Sequence, residues 1–102
     1  EWEVVNSIND IIPIVDVLYM TRLQKERFVS LEGKVESIIN WNNYVINPFN
    51  IINAKSNLVI MHPLPRNEEI SVELDSDPRS AYFRQMKYGL YVRMALLEML
   101  LC

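Results

Sequence analysis

The sequence predicts an α/β fold, a three-layer αβα arrangement in which a parallel sheet lies between helices. Three observations carry this. Val17-Leu18-Tyr19-Met20 and Leu58-Val59-Ile60-Met61 are unbroken apolar runs of strand length, the pattern of short strands buried on both faces of a parallel sheet. Asn47-Pro48 and Asp77-Pro78 each place a capping side chain before a proline, a common opening for a helix. These signals fall in the order helix, strand, helix, strand, helix, which is the order crossover-connected parallel strands require.

Taken in turn, Trp2 to Val15 carries Val4, Val5, Ile8, Ile11 and Ile12 at helical spacing, with Asn6 or Ser7 as a cap and Pro13 as the stop. Val17 to Met20 is the first strand, and the polar stretch Thr21 to Arg27 is a loop. Ser30 to Asn40 reads as a short helix weakened by Gly33, and Tyr44-Val45-Ile46 as a third short strand. Asn47-Pro48 opens a helix through Ala54. The strand from Leu58 then stops at His62-Pro63-Leu64-Pro65-Arg66, because a proline lacks the N–H a central strand needs. Leu64–Pro65 is a candidate cis bond, since the cis form before proline costs only about 0.5–1 kcal/mol. Ile70 to Leu74 alternates apolar and polar residues, which fits either an extended segment or a loose turn. Asp77-Pro78 opens a long final helix with Phe83, Met86, Leu90, Met94, Leu97 and Leu101 on one stripe, interrupted by Gly89. Trp41, Tyr82 and the methionines are read as packing residues.

The totals set bounds. A chain of 102 residues holds one small domain at most. With 50% apolar and 23% charged residues the composition is that of a globular chain. A net charge of −3 offers no electrostatic footprint for nucleic acid, and no apolar run approaches the roughly 20 residues of a membrane span. The only cysteine is Cys102, so no internal disulfide is possible and a reducing compartment is the default. The chain opens on Glu1 rather than methionine, and two or three short strands buried on both faces need neighbours. The expectation is therefore an incomplete portion of a domain.

Chemistry concentrates in two loops. Thr21-Arg22-Leu23-Gln24 follows one strand and His62-Pro63-Leu64-Pro65-Arg66 follows the other. In a parallel sheet both emerge at the same edge, where ligands of open α/β sheets sit. Arg22 offers a rigid fork for a carboxylate or phosphate, and Gln24 adds a neutral donor and acceptor. Carbonyls around Pro63, Leu64 and Pro65 can accept hydrogen bonds from an N–H group. Together these residues describe a site for a small anionic molecule that also bears an amide or amine.

At these residues the chain resembles aspartate transcarbamoylase catalytic chains of a eukaryotic kind. The resemblance rests on Asp16-Val17-Leu18-Tyr19-Met20-Thr21-Arg22-Leu23-Gln24-Lys25-Glu26-Arg27-Phe28 and on Val59 to Arg66. It extends through Glu69 to Glu73, Asp75 to Gln85 and Tyr88 to Leu97, and is weakest over Glu32 to Tyr44. Asn67-Glu68 and Met86-Lys87-Tyr88 depart from the commoner family pattern. The ornithine-using sister enzymes have cysteine where Pro63 stands and lack the Thr-Arg-x-Gln pattern, so the resemblance points to aspartate as acceptor.

The resemblance implies transfer of a carbamoyl group from carbamoyl phosphate to the amine of L-aspartate, giving N-carbamoyl-L-aspartate and phosphate, in de novo pyrimidine synthesis. It implies no metal or organic cofactor, a cytoplasmic location and a homotrimer with sites between subunits. Residues 1–102 would be the C-terminal portion of the aspartate-binding domain, without the N-terminal carbamoyl-phosphate domain. Arg22 would clamp an aspartate carboxylate with Gln24 beside it. Main-chain carbonyls at Pro63 and Leu64, next to Pro65, would hold the carbamoyl nitrogen, and Arg27 would help close its loop over the substrates. The family's phosphate cradle, catalytic lysine and carbonyl-polarising histidine all lie upstream, so His62, otherwise a candidate general acid or base, is read as structural, no catalytic residue is expected within 1–102 and the chain alone is not expected to turn over. The competing reading is a non-catalytic transcarbamoylase-like module kept for assembly or regulation.

Overall fold

Val17–Tyr19 (β1) and Val59–Met61 (β2) pair in parallel, Val17 opposite Val59 and Tyr19 opposite Met61. The computed structural model describes residues 1–24 and 40–102. Arg27 and nearly all of the helix expected over Ser30 to Asn40 lie outside the described residues. The far edge of β2 is also occupied: Ile60 N donates to the Arg79 carbonyl at 2.9 Å, and Ala81 N to the Ile60 carbonyl at 2.8 Å. β2 is thus the inner strand, and Leu58 and Ile60 are buried.

The strands are not buried on both faces, as the apolar runs suggested. Leu18 and Ile60 face a core with Ile8, Ile12, Ile46, Ile51, Ile70 and Leu74. Val17 and Tyr19 are about half exposed, and Val59 and Met61 half buried. The second face is shared with the C-terminal helix, α2 (Tyr82–Leu101). Between them lies an open groove of about 630 Å³ lined by Val59, Met61, Gln85, Tyr88 and Val92 among others. Each fully buried aliphatic side chain on the filled face contributes about 1.5–3 kcal/mol.

Among the described residues, the long final helix is present as α2, while the helices expected over Trp2 to Val15 and Asn47 to Ala54 are shorter than expected. Only Ile8–Ile11 (α1) is helical in the first segment, capped by Ser7, whose hydroxyl accepts from Asn9 N at 3.3 Å. Trp2 and Val4 are exposed and add nothing to an apolar face. After Pro13 the chain turns into β1 as expected. Tyr44-Val45-Ile46 is not a strand: Trp41–Tyr44 is a 3-10 turn capped by Asn40, and Ile46 alone bridges Ile70 in parallel. Asn47 does act as a cap, its Oδ1 accepting from Phe49 N at 2.9 Å and Asn50 N at 3.1 Å. The segment it caps is a single 3-10 turn, Asn50–Asn53, rather than an α-helix.

Ile70 is extended and Val72–Ser76 is another 3-10 turn, so the ambiguous stretch contains both forms. Asp77-Pro78 does not open α2 directly. Asp77 Oδ1 accepts from Arg79 N, and residues 79–81 must first run alongside β2 before the helix begins at Tyr82. The stripe Phe83, Met86, Leu90, Met94, Leu97 and Leu101 is at least half exposed at every position, against its expected role as a core face. Geometry explains this. Twenty helical residues span about 30 Å, whereas a three-residue strand rises only about 10 Å. Most of α2 therefore extends past the sheet. Among the described residues no helix is long and apolar enough to cross a membrane.

Candidate functional site at the carboxyl edge of the sheet

The register of β1 and β2 brings their carboxyl ends side by side, and Met20 N donates to the Met61 carbonyl at 2.8 Å. The loops Thr21–Gln24 and His62–Arg66 therefore leave the sheet at one edge, as the sequence predicts. Gln85 on α2 ties the two strand ends together. Its Oε1 accepts from His62 N and its Nε2 donates to the Tyr19 hydroxyl, both at 3.0 Å. A cavity of about 200 Å³ lies at this junction, lined by Tyr19, His62, Pro63, Gln85, Met86 and others. The larger groove between β2 and α2 is lined mostly by apolar atoms and lies away from the Arg22 loop.

The His62–Arg66 loop is held by buried bonds. The His62 side chain is fully buried and Glu69 is 2% exposed. Leu64 N–H donates to His62 Nδ1 at 2.8 Å. A nitrogen that accepts an N–H carries no proton of its own, so the ring hydrogen sits on Nε2. Nε2 then donates to Glu69 Oε1 at 2.7 Å, and that oxygen also accepts from Asn67 N at 3.1 Å. Both ring nitrogens are engaged within the protein, in keeping with a structural His62. Leu64–Pro65 is cis, as the sequence suggested, and Leu64 has a φ of 49°. A leucine in this left-handed region costs about 1–2 kcal/mol, which the surrounding bonds offset. Among the described residues, neither the Pro63 nor the Leu64 carbonyl accepts a main-chain hydrogen bond.

Arg66 closes the other end of the loop. Its guanidinium forks onto Asp75, with Nη2 to Oδ2 at 2.7 Å, and Nη1 also donates to the Tyr82 hydroxyl at 3.2 Å. It lies over the Tyr82 and Phe83 rings, 5.5 and 5.9 Å from their centroids. The Arg66 hydrogen bond holds the Asp75 carboxyl down at about 2, and Asp75 in turn raises the guanidinium. Burial, then the Asp75 contact, pushes the Tyr82 hydroxyl up. Arg66 is therefore committed to bracing the loop, and Tyr82 does more than pack.

Arg22 and Gln24 are exposed at the tip of their loop, and Pro63 and Pro65 are exposed on theirs, with Leu64 half buried. Arg27 lies outside the described residues. Glu69, Asp75, Gln85 and Tyr19 were not singled out in the sequence, because their roles depend on partners 7 to 66 residues away. Among the described residues no three His, Cys, Asp or Glu side chains are grouped to hold a metal ion.

Comparison with known proteins agrees with this architecture. The family model for the aspartate/ornithine carbamoyltransferase Asp/Orn binding domain matches residues 1–100. The chain is 53% identical over 93 residues to multifunctional protein pyr1-3 of Dictyostelium discoideum, covering 91% of this chain and 4% of that protein. It is 46% identical over 101 residues to the aspartate carbamoyltransferase catalytic subunit of Clostridium botulinum, covering 99% of this chain and 32% of that one. The crystal structure of Trypanosoma cruzi aspartate transcarbamoylase with carbamoyl phosphate and aspartate superposes with a TM-score of 0.76 at 39% identity, over 91% of this chain and 28% of that one. The chain thus spans a third or less of these relatives. By the family model, the sequence identity and the parallel-stranded fold together, it belongs to the aspartate/ornithine carbamoyltransferase family.

Proposed function

We propose that residues 1–102 supply the aspartate-binding side of an aspartate carbamoyltransferase site. The observation that carries this is the pairing of two loops at one sheet edge, one presenting Arg22 and Gln24, the other presenting main-chain carbonyls at Pro63 and Leu64. Relatives named as aspartate carbamoyltransferases support the reading, as does a related enzyme crystallised with carbamoyl phosphate and aspartate.

In this reading the Arg22 fork binds a carboxylate of L-aspartate and Gln24 bonds the same molecule. The Pro63 and Leu64 carbonyls accept the N–H groups of the carbamoyl amine. The aspartate nitrogen attacks the carbamoyl carbon, the carbon–oxygen bond to phosphate breaks, phosphate leaves with the electron pair, and the nitrogen gives up a proton. Holding both reactants in one orientation is the main contribution such a site makes, since it removes the entropy cost of a bimolecular encounter. Arg27 belongs to loop closure. The phosphate-binding and catalytic groups come from the carbamoyl-phosphate domain, within a cytoplasmic homotrimer serving pyrimidine synthesis.

The test is to combine this chain with the carbamoyl-phosphate domain of a family member and measure carbamoyl-aspartate formation, with Arg22→Ala in parallel. Activity that Arg22→Ala abolishes supports the reading. An assembled but inactive mixture instead favours a non-catalytic module, with Asn67-Glu68 the first positions to revert.

A further inference from the structure

The buried His62–Glu69 pair bears on the site through one peptide group. Leu64 N–H, which donates to His62 Nδ1 at 2.8 Å, belongs to the same planar unit as the Pro63 carbonyl. That unit is trans, since the cis bond lies one residue later at Leu64–Pro65. In a trans peptide the N–H and C=O point in opposite directions. Fixing the N–H against the buried ring therefore directs the Pro63 carbonyl away from the interior, on a residue that is itself exposed. The ring cannot turn freely, because Nε2 is bonded to Glu69 Oε1 at 2.7 Å and both side chains are almost completely buried. The same Glu69 oxygen accepts Asn67 N at 3.1 Å, so one carboxylate secures the ring and the far side of the loop together.

We propose that His62, held by Glu69, is a positioning residue that aims the Pro63 carbonyl at the amine of the carbamoyl group. The inference rests on the proposed carbamoyltransferase reading and adds a chain of transmission to it: Glu69 sets the ring, the ring sets the Leu64 N–H, and the N–H sets the carbonyl. A backbone acceptor has no rotamer of its own, so its direction must be set by what grips the peptide. His62 touches no substrate in this scheme.

Two amide replacements separate the halves of the ring. In His62→Asn the side-chain oxygen falls near Nδ1 and can still receive the Leu64 N–H. In His62→Gln the amide nitrogen reaches toward Glu69 but leaves the Leu64 N–H without its acceptor. The experiment uses a complete carbamoyltransferase that carries these residues, and compares KM for carbamoyl phosphate with the inhibition constant of acetyl phosphate, which bears a methyl group in place of the amine. The preference for carbamoyl phosphate over acetyl phosphate is expected to fall at least tenfold in His62→Gln. It should stay within about threefold in His62→Asn, with KM for aspartate nearly constant in both. Glu69→Asp, whose carboxylate is one methylene short of Nε2, keeps the Nδ1 acceptor but loosens the ring, so the preference should fall by about threefold, between the unmodified enzyme and His62→Gln, and this variant serves if His62→Gln does not fold.

Equal loss of thermal stability in these variants with an unchanged preference overturns the assignment. So does failure of both His62→Gln and Glu69→Asp to fold, which would mark the pair as a stability element alone. The underlying reading fails separately and visibly: the unmodified enzyme would form no carbamoyl-aspartate, or Arg22→Ala would leave KM for aspartate unchanged.

Discussion

The two loops at the carboxyl edge of the sheet are built in opposite ways. Thr21 to Gln24 puts polar side chains on the surface, with Arg22 and Gln24 exposed. His62 to Glu69 buries the side chains of its two end residues, His62 and Glu69, leaves Pro63 and Pro65 exposed, and is gripped by Leu64–His62–Glu69 at one end and Arg66–Asp75–Tyr82 at the other. The difference reflects the kind of group each loop offers. An arginine fork recognises a carboxylate by its own geometry and needs little around it. A carbonyl can be directed only by holding its peptide, so that loop needs a buried frame. Function and stability should consequently separate between the loops, and substitutions can break or sharpen that contrast.

The largest effect is expected at Arg22. If Arg22 clamps aspartate as proposed, Arg22→Ala in a complete enzyme carrying this segment removes two charge-assisted hydrogen bonds of about 1.5–3 kcal/mol each, so kcat/KM for aspartate should fall roughly 10²–10⁴-fold. Unfolding free energy should shift by no more than about 0.5 kcal/mol. Arg22→Lys should recover only part of the loss, since an ammonium lacks the fork. A fall in stability matching the fall in activity would erase the contrast.

Glu69→Ala is the reciprocal case. It leaves the buried His62 Nε2–H unsatisfied and opens a small cavity, costing about 2–4 kcal/mol in denaturant unfolding. Gln24→Ala, in the exposed loop, should cost under about 0.5 kcal/mol. Similar values for the two would show that the loops are not framed differently.

A smaller effect is expected from Asp75→Asn, and it should depend on pH. With its folded-state value held at about 2 by the Arg66 hydrogen bond, the Asp75 carboxylate contributes stability that is present above about pH 4 and lost as pH falls toward 2. The side chain is 35% exposed, so solvent screening limits the contribution to about 1 kcal/mol. The stability gap between Asp75→Asn and the unmodified chain should therefore be constant from pH 7 to 5 and narrow between 4 and 2. A gap that stays constant to pH 2 would remove the ion pair from the frame. Least of all should change on Lys55→Ala. The Lys55–Asp16 contact at 2.7 Å joins an exposed Asp16 to a Lys55 side chain that is 37% exposed, and its loss should register below about 0.5 kcal/mol.

Much of this was legible in residue order alone. β1, β2 and their shared edge followed from two apolar runs and the prolines that end the second. Arg22, Gln24 and the proline-bracketed carbonyls stood out because each carries its chemistry locally, in a fork, an amide or a missing N–H. The Leu64–Pro65 cis bond was legible for the same reason. Element lengths were not. Periodicity over Trp2 to Val15 and along α2 counts apolar residues but cannot tell which of them meet a partner: in the first stretch only Ile8–Ile11 is helical, and α2, though long as expected, has its stripe exposed. Nor could order along the chain show that Asp77-Pro78 is followed by three residues paired to β2 before a helix can begin, or that Gln85 meets Tyr19 across 66 positions. Local chemistry is written in residue type and spacing. The grip on His62, Arg66 and Leu64 comes from groups that meet only after the chain has folded, and burial in that folded state gives each bond its strength and its direction.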